Sequence, residues 1–211
     1  MNIPNQIPRY SDNERLNHWL TAICFMLAAL SGLSLFHPSL FWLTNLFGGG
    51  PWTRILHPFI GLVMALVFAG MVLRFWQHNK LQDNDRQWMK QWRDAISNRE
   101  DRLPEVGRYN AGQKMIFWLM VVCIATLLVT GILFWRPWFA DAFPIVVVRI
   151  ATLLHAVTAS IIVLGAIVHI YAAIWVKGSL GGMLGGTVSE NGRANTTRRG
   201  CAKSPANNIP V

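Results

Sequence analysis

The 211-residue chain is 53% hydrophobic and only 14% charged, and it holds 10 tryptophans. That balance excludes an ordinary soluble domain and describes an integral membrane protein. Its formal net charge of +9 calls for no nucleic acid, because the basic residues sort by loop as membrane topology requires.

A polar stretch carrying Arg9 and Arg15 leads into the first apolar span, Trp19 to Phe36, with His18 at its entry. No small-residue cleavage site follows, so the segment reads as a retained span and not as a cleavable signal peptide. His37 stands before Pro38 at the far end, where solvation is cheap, and is read as a non-ligand. The second span runs from Ile55 to Leu73 or Phe75 and opens on Arg54-Ile55-Leu56-His57-Pro58.

A loop follows from Gln77 to Lys114. Counted from Arg74 it mixes nine basic with six acidic residues. His78 lies in it and is also read as a non-ligand. The stretch Trp88-Met89-Lys90-Gln91-Trp92-Arg93 is amphipathic enough to lie along the membrane interface, or it forms part of a solvated helical hairpin. Just before the third span comes a polar, glycine-containing entry, Gly107-Arg108-Tyr109-Asn110-Ala111-Gly112-Gln113-Lys114.

The third span, Met115 to Trp135, has no histidine and is expected to pack without ligating. The fourth, Val146 to Val176, has 31 residues. Wholly helical, it would be about 46 Å long, more than the hydrocarbon thickness, and should project beyond the bilayer toward a peripheral partner. It carries both His155 and His169.

Of the 19 Lys and Arg residues, only Arg54, Arg136 and Arg149 fall in the first and third connections. The positive-inside rule therefore places both termini and the central loop in the cytoplasm. Trp19, Trp76, Trp135, Trp138, Tyr171 and Trp175 cluster at span ends as interfacial belts do.

A lone histidine in a helix is usually a hydrogen-bonded core residue. Four at matched depths point elsewhere, because the bilayer seldom holds an ionisable group without a use for it. His155 and His169, 14 residues apart, lie about 40° apart around the helix and about 21 Å apart along it. One helix thus offers a ligand near each membrane face. With the orientation above, His18 can share an inner iron with His169, and His57 an outer iron with His155. Two axial imidazoles leave iron no open position, so such centres carry electrons and do not activate ligands. No Cys-x-x-Cys-His occurs, which points to b-type haem. Cys24 and Cys123 read as small apolar residues inside spans, and Cys201 lies in the tail.

Gly32, Gly61, Gly70, Gly131 and Gly165 let helices, or a flat macrocycle, come close. No Asp or Glu lies inside any span, which weakens a proton-pump or ion-coupled transporter reading. An electron path in a membrane needs an acceptor, and a quinone is the natural one. Asn110 and Gln113 can hydrogen-bond a quinone carbonyl, and Gly112 permits close approach. The same Asn-Ala-Gly is equally an ordinary helix cap.

The chain closely resembles the gamma, or cytochrome b, subunit of respiratory membrane-bound formate dehydrogenases over about residues 7 to 189. The segments that carry the resemblance are Arg15-Leu16-Asn17-His18-Trp19, Arg54-Ile55-Leu56-His57-Pro58-Phe59, Gly107 to Lys114 as written above, Trp135-Arg136-Pro137, and His169-Ile170-Tyr171-Ala172-Ala173-Ile174-Trp175-Val176-Lys177-Gly178. The resemblance implies an all-α, four-transmembrane-helix bundle in the bacterial inner membrane with both termini cytoplasmic. It implies two b haems held by His18 with His169 and by His57 with His155. It further implies a menaquinone site at Asn110, Gly112, Gln113 and His169. The implied partners are an iron–sulfur beta subunit and a selenocysteine-containing molybdenum alpha subunit on the periplasmic face, the whole complex forming trimers. The chain itself would bind no formate; it would pass electrons inward to menaquinone in anaerobic or nitrate-linked respiration.

Residues 1–189 are thus read as one dihaem domain and 190–211 as an atypical tail. After Val188-Ser189 the resembling family continues Trp-Ala, two charged residues, His-His-Pro and another Trp. Back-translating this chain from the third base of Asn191 restores that pattern, so one deleted nucleotide accounts for the tail; the alternative is a divergent, disordered segment. Two rival functions stay open. One is the same architecture serving a nickel-iron hydrogenase or a thiosulfate reductase, and the other is a haem-free membrane anchor or transporter.

Overall fold

A computed structural model describes residues 6–96, 104, 109–136, 138–175 and 178–189. The tail from 190 onward, with its frameshift reading, lies outside the described residues, as do Gly107, Arg108, Pro137, Val176 and Lys177 of the segments above.

In chain order, a short strand β1 (Gln6–Pro8) precedes α1 (Asp12–Phe36), a 3₁₀ stretch (Pro38–Phe47) and α2 (Gly50–Phe75). After a 3₁₀ turn at Trp76–Asn79 come α3 (Asp83–Lys90) and α4 (Trp92–Ile96), then α5 (Ala111–Leu133), a 3₁₀ turn at Ala140–Ala142, α6 (Ile145–Trp175), α7 (Ser179–Gly185) and β2 (Thr187–Ser189). By length and composition four helices can cross a membrane: α1, α2 with its following turn, α5 and α6. All four are apolar around their whole circumference. Leu20, Ile23, Leu66, Val122, Leu153 and Leu164, for example, point outward, as lipid-facing positions should. In hydrocarbon each backbone group must find its partner inside the segment, which leaves the helix as the only open-ended solution. Polar side chains obey the same constraint: Thr21, Thr126, Thr152 and Ser160 each donate to the carbonyl four residues back, at 2.8 to 3.0 Å.

Residues 12–75 and 118–169 form one compact unit. Its core is Cys24, Met64, Phe68, Cys123, Ile124 and Ile162, drawn from all four long helices. Ile162 stands seven residues from His155 and seven from His169, so the packed centre separates two ends of α6, each with its own histidine. Asn17 ties α1 to α2 by donating through Nδ2 to the Val67 carbonyl at 3.1 Å. Gly48 and Gly49, at φ 86° and 93°, turn the chain sharply from the 3₁₀ stretch into α2, a conformation that a Cβ would strain.

The other unit gathers the described parts of residues 1–11, 76–117 and 170–211. Here β1 and β2 pair antiparallel, Gln6 opposite Ser189 and Pro8 opposite Thr187. This ribbon corrects the all-α expectation: the chain is mostly helical. Three residues per strand are too few to show an alternating pattern in the sequence.

Helix boundaries also differ from the expected ones. α1 begins at Asp12, ahead of Trp19, because Asp12 and Glu14 suit the positive end of a helix and Asp12 pairs with Arg15 at 3.0 Å. α5 begins at Ala111, ahead of Met115, behind a capping box in which Asn110 Oδ1 accepts from the Gln113 amide at 2.9 Å and Gln113 Oε1 accepts from the Asn110 amide at 3.1 Å. Lys114, counted above with the loop, is therefore inside a helix. The Trp88–Arg93 stretch is interrupted, α3 ending at Lys90 and α4 starting at Trp92.

Candidate functional site

Helical geometry brings the four span histidines together in two pairs, both within the unit formed by residues 12–75 and 118–169. His18 of α1 faces His169 of α6 with ring centroids 6.2 Å apart. His57 of α2 faces His155 of α6 with centroids 6.4 Å apart. These separations are too long for a hydrogen bond and too short for an intervening side chain. An imidazole nitrogen binds a first-row metal ion at about 2.0 to 2.1 Å and lies about 1.1 Å from its own ring centre, so two trans imidazoles on one metal should hold their centroids about 6.3 Å apart. Both pairs match that figure.

Among the described residues no group of three or more His, Cys, Asp or Glu could hold a metal ion. Two protein ligands per site are too few for a bare ion. They suit iron that brings its own equatorial nitrogens, which is the donor set of a haem.

The surroundings of the His57–His155 pair engage Nδ1 of both rings and leave Nε2 as the nitrogen available to a metal. Ser31 Oγ lies 2.8 Å from His57 Nδ1. Its oxygen also lies 2.7 and 3.1 Å from the Leu27 and Ala28 carbonyls, either of which can take its single proton. With Nε2 on a metal, a neutral His57 would carry its proton on Nδ1 and the serine oxygen would accept it. Thr130 repeats the arrangement: Oγ1 lies 2.6 Å from the Thr126 carbonyl and 2.9 Å from His155 Nδ1. Both rings can thereby take the tautomer with Nδ1–H and an Nε2 lone pair, the form a metal requires. Glycine follows each hydroxyl residue. A Cβ on Gly32 would stand 3.1 Å from His57 Cε1, tighter than ordinary contact, so the close approach of that ring depends on the missing side chain; one on Gly131 would stand in van der Waals contact with His155 Cε1, at 3.4 Å. Phe134 closes the edge of His155, with ring centroids 5.0 Å apart, and Phe59 meets Trp135 edge to face at 5.2 Å.

The His18–His169 pair is built differently. Trp19 stands edge-on to His18 at 5.6 Å. His18 Nδ1 is buried without a hydrogen-bond partner, as is Asn17 Oδ1 beside it. His37 and His78 have other places: His37 Nδ1 accepts from the Ser39 amide at 3.2 Å and caps the 3₁₀ stretch, and His78 lies edgewise to Tyr109 at 6.5 Å.

Asn110, Gly112 and Gln113 come together at the start of α5, in the unit that also holds α3. The side-chain oxygens of Asn110 and Gln113 are committed to the capping box, which leaves their amide NH2 groups to meet a carbonyl. The close approach at Gly112 is that of Trp88 from α3, whose ring edge would lie 3.3 Å from an added Cβ. His169 belongs to the other unit, and its share in a quinone site rests on the resemblance alone.

Sequence reasoning missed Ser31, Thr130 and Asp85. A signal for the first two exists in retrospect: a hydroxyl-glycine dipeptide, Ser31-Gly32 or Thr130-Gly131, precedes its histidine by 26 or 25 residues. Asp85 gave none. It meets Lys114 Nζ at 2.7 Å with both side chains almost fully buried.

The prokaryotic cytochrome b561 family matches the chain over residues 9–186. The formate dehydrogenase cytochrome b556(fdo) subunit of Escherichia coli strain K12 is 46% identical over 183 residues, 87% of this chain and 86% of that protein. The nitrate-inducible formate dehydrogenase cytochrome b556(Fdn) subunit of the same strain is 45% identical over 176 residues, covering 83% and 81%. The formate dehydrogenase cytochrome b556 subunit of Haemophilus influenzae is 40% identical over 184 residues, covering 87% and 77%.

Proposed function

The chain belongs to the prokaryotic cytochrome b561 family, and we propose that it is the membrane cytochrome b subunit of a formate dehydrogenase, with one b haem at each histidine pair. The observation that carries this reading is the 6.2 and 6.4 Å spacing of the two pairs, taken with relatives that are formate dehydrogenase cytochrome b556 subunits. When bound, each haem supplies a one-electron carrier closed to exogenous ligands. His57 and His155 hold the outer one and His18 and His169 the inner one.

The distribution of basic residues sets the direction. It puts both termini and residues 77–114 on the cytoplasmic side of the bacterial inner membrane, so the His57–His155 end faces the periplasm. There an iron–sulfur subunit, supplied by a molybdenum subunit that oxidises formate, delivers electrons. They leave on the cytoplasmic side to menaquinone, whose reduction takes up protons from that side and so contributes to the proton-motive force. Asn110 and Gln113 donate amide N–H groups to the quinone carbonyl while their oxygens hold the helix start in place.

Affinity purification of the tagged chain from membranes should bring down an iron–sulfur subunit and a formate-oxidising subunit, and formate should reduce the haem bands of the isolated complex. Copurification with a nickel-iron hydrogenase or a thiosulfate reductase would move the assignment within the family. A colourless protein would end it.

The quinone role of Asn110 separates from its capping role by the choice of substitution. Losing one neutral hydrogen bond costs about 0.5 to 1.5 kcal/mol, roughly three- to tenfold in affinity. Asn110→Ala and Asn110→Ser should therefore both raise the apparent KM for menaquinone by about that factor, with both haems in place. Only Asn110→Ala should also lose the cap, about 1 kcal/mol of helix stability, since serine caps as well as asparagine. Unchanged quinone kinetics in Asn110→Ser would confine the residue to capping.

A further inference from the structure

The two histidine pairs differ in one respect that bears on the order in which electrons occupy them. Both outer histidines place Nδ1 against an alcohol oxygen, Ser31 Oγ at 2.8 Å and Thr130 Oγ1 at 2.9 Å, and with Nε2 on iron each Nδ1 would carry the proton and donate it to that oxygen. Each alcohol also has a helix carbonyl within reach of its own proton, at 2.7 and 2.6 Å, which leaves its oxygen able to accept from the ring. Among the described residues neither inner ligand bonds a hydroxyl, and His18 Nδ1 is buried without any partner. A hydrogen bond accepted from the remote ring nitrogen raises the basicity of the ligating one. More basic axial ligands favour the ferric over the ferrous state, and hydrogen bonding around the ligands is one of the levers by which a protein sets a haem potential.

We propose that Ser31 and Thr130 are positioning residues that hold the outer haem at a lower midpoint potential than the inner one, so that transfer from the outer to the inner site runs downhill. The inference rests on the dihaem reading above. The same device is built twice: Ser31-Gly32 on α1 serves His57 on α2, and Thr130-Gly131 on α5 serves His155 on α6. In each case the hydroxyl would take the Nδ1 proton and the glycine lies against the ring edge, tightly at Gly32, where a Cβ would stand 3.1 Å from the ring, and at ordinary contact distance, 3.4 Å, at Gly131. Neither hydroxyl is there to face water, Ser31 being wholly buried and Thr130 nearly so. Were they only satisfying themselves, their bonds to the carbonyls of their own helices would suffice. Two helix hairpins instead direct the second lone pair of a buried alcohol at an imidazole.

The test is a redox titration of the assembled complex in membranes, following the haem absorbance bands. The outer component is identified as the one lost in His155→Ala. Ser31→Ala and Thr130→Val should each raise the outer midpoint, the double variant should raise it further, and the inner midpoint should stay where it is. Ser31→Thr and Thr130→Ser keep the hydroxyl and should titrate as the unaltered protein does. An outer midpoint unmoved in the double variant, or equal shifts in both haems, overturns the proposal. So does loss of the outer haem from both hydroxyl-free single variants, which would make the hydroxyls elements of assembly and not of potential. If the unaltered protein lacks two haems, the functional reading fails; two haems insensitive to the hydroxyls sink this inference alone.

Discussion

Replacing His155 with alanine should halve the haem content, leaving one b haem per chain where the unaltered protein has two. On the proposed reading the outer iron would have two protein ligands, the His57 and His155 that face each other from α2 and α6, and the two remaining histidines are engaged elsewhere: His37 as a cap and His78 against Tyr109. His57→Ala should have the same outcome, since either change would remove one of the two imidazoles proposed to hold that haem. His18→Ala should instead remove the inner haem. The separation along α6, about 21 Å by helix rise, with the Ile162 core between, keeps the effects distinct. In the assembled complex, His18→Ala should leave formate-driven reduction of the outer haem intact while abolishing quinone reduction. The measurement is haem extraction against protein, with spectra of each variant. One haem per chain in the unaltered protein, or two in His155→Ala, would refute the assignment.

Removing the Lys114 ammonium should produce the largest loss of stability. Its Nζ meets Asp85 Oδ2 at 2.7 Å and the Lys80 carbonyl at 3.1 Å, and Asp85 Oδ2 also accepts the Gln82 amide at 2.7 Å. The two side chains are only 3% and 4% exposed. Deleting one member of such a pair leaves a buried charge without its counterion and costs about 3 to 5 kcal/mol, whereas replacing both can be nearly neutral. Lys114→Met should therefore lower the detergent-solution melting temperature sharply and open the chain around α3 to protease, and Lys114→Met with Asp85→Leu should recover most of the loss. A Lys114→Met protein with unaltered melting and digestion would show the pair to be inert. Because Gln113 adjoins Lys114, the single variant is also expected to loosen the start of α5 and weaken quinone binding.

What could be read from the chain, and what could not, divides by the range of the interactions involved. The four long helices were legible because hydrocarbon imposes a local rule, about 20 apolar residues for each crossing, and that rule leaves its mark in any window of sequence. Histidine positions were legible for a related reason: an ionisable group among such residues is costly enough to stand out. The cap at Asn110 was foreseen as one of two uses for the residue, and the hydrogen bonds show that it is in force.

Sequence alone therefore determined the class of the protein, the approximate extent of its long helices and which histidines would pair. Tertiary structure decided the rest. Ser31 reaches His57 across 26 positions, Thr130 reaches His155 across 25, and Asp85 reaches Lys114 across 29. The β1–β2 ribbon joins Gln6 to Ser189 from nearly opposite ends of the described chain. Such partnerships depend on how each helix is turned about its own axis, and each residue of register turns it by about 100°, enough to swing a hydroxyl away from an imidazole. A helix that is apolar on every side carries no periodic signal of that rotation; only packing against its neighbours selects it.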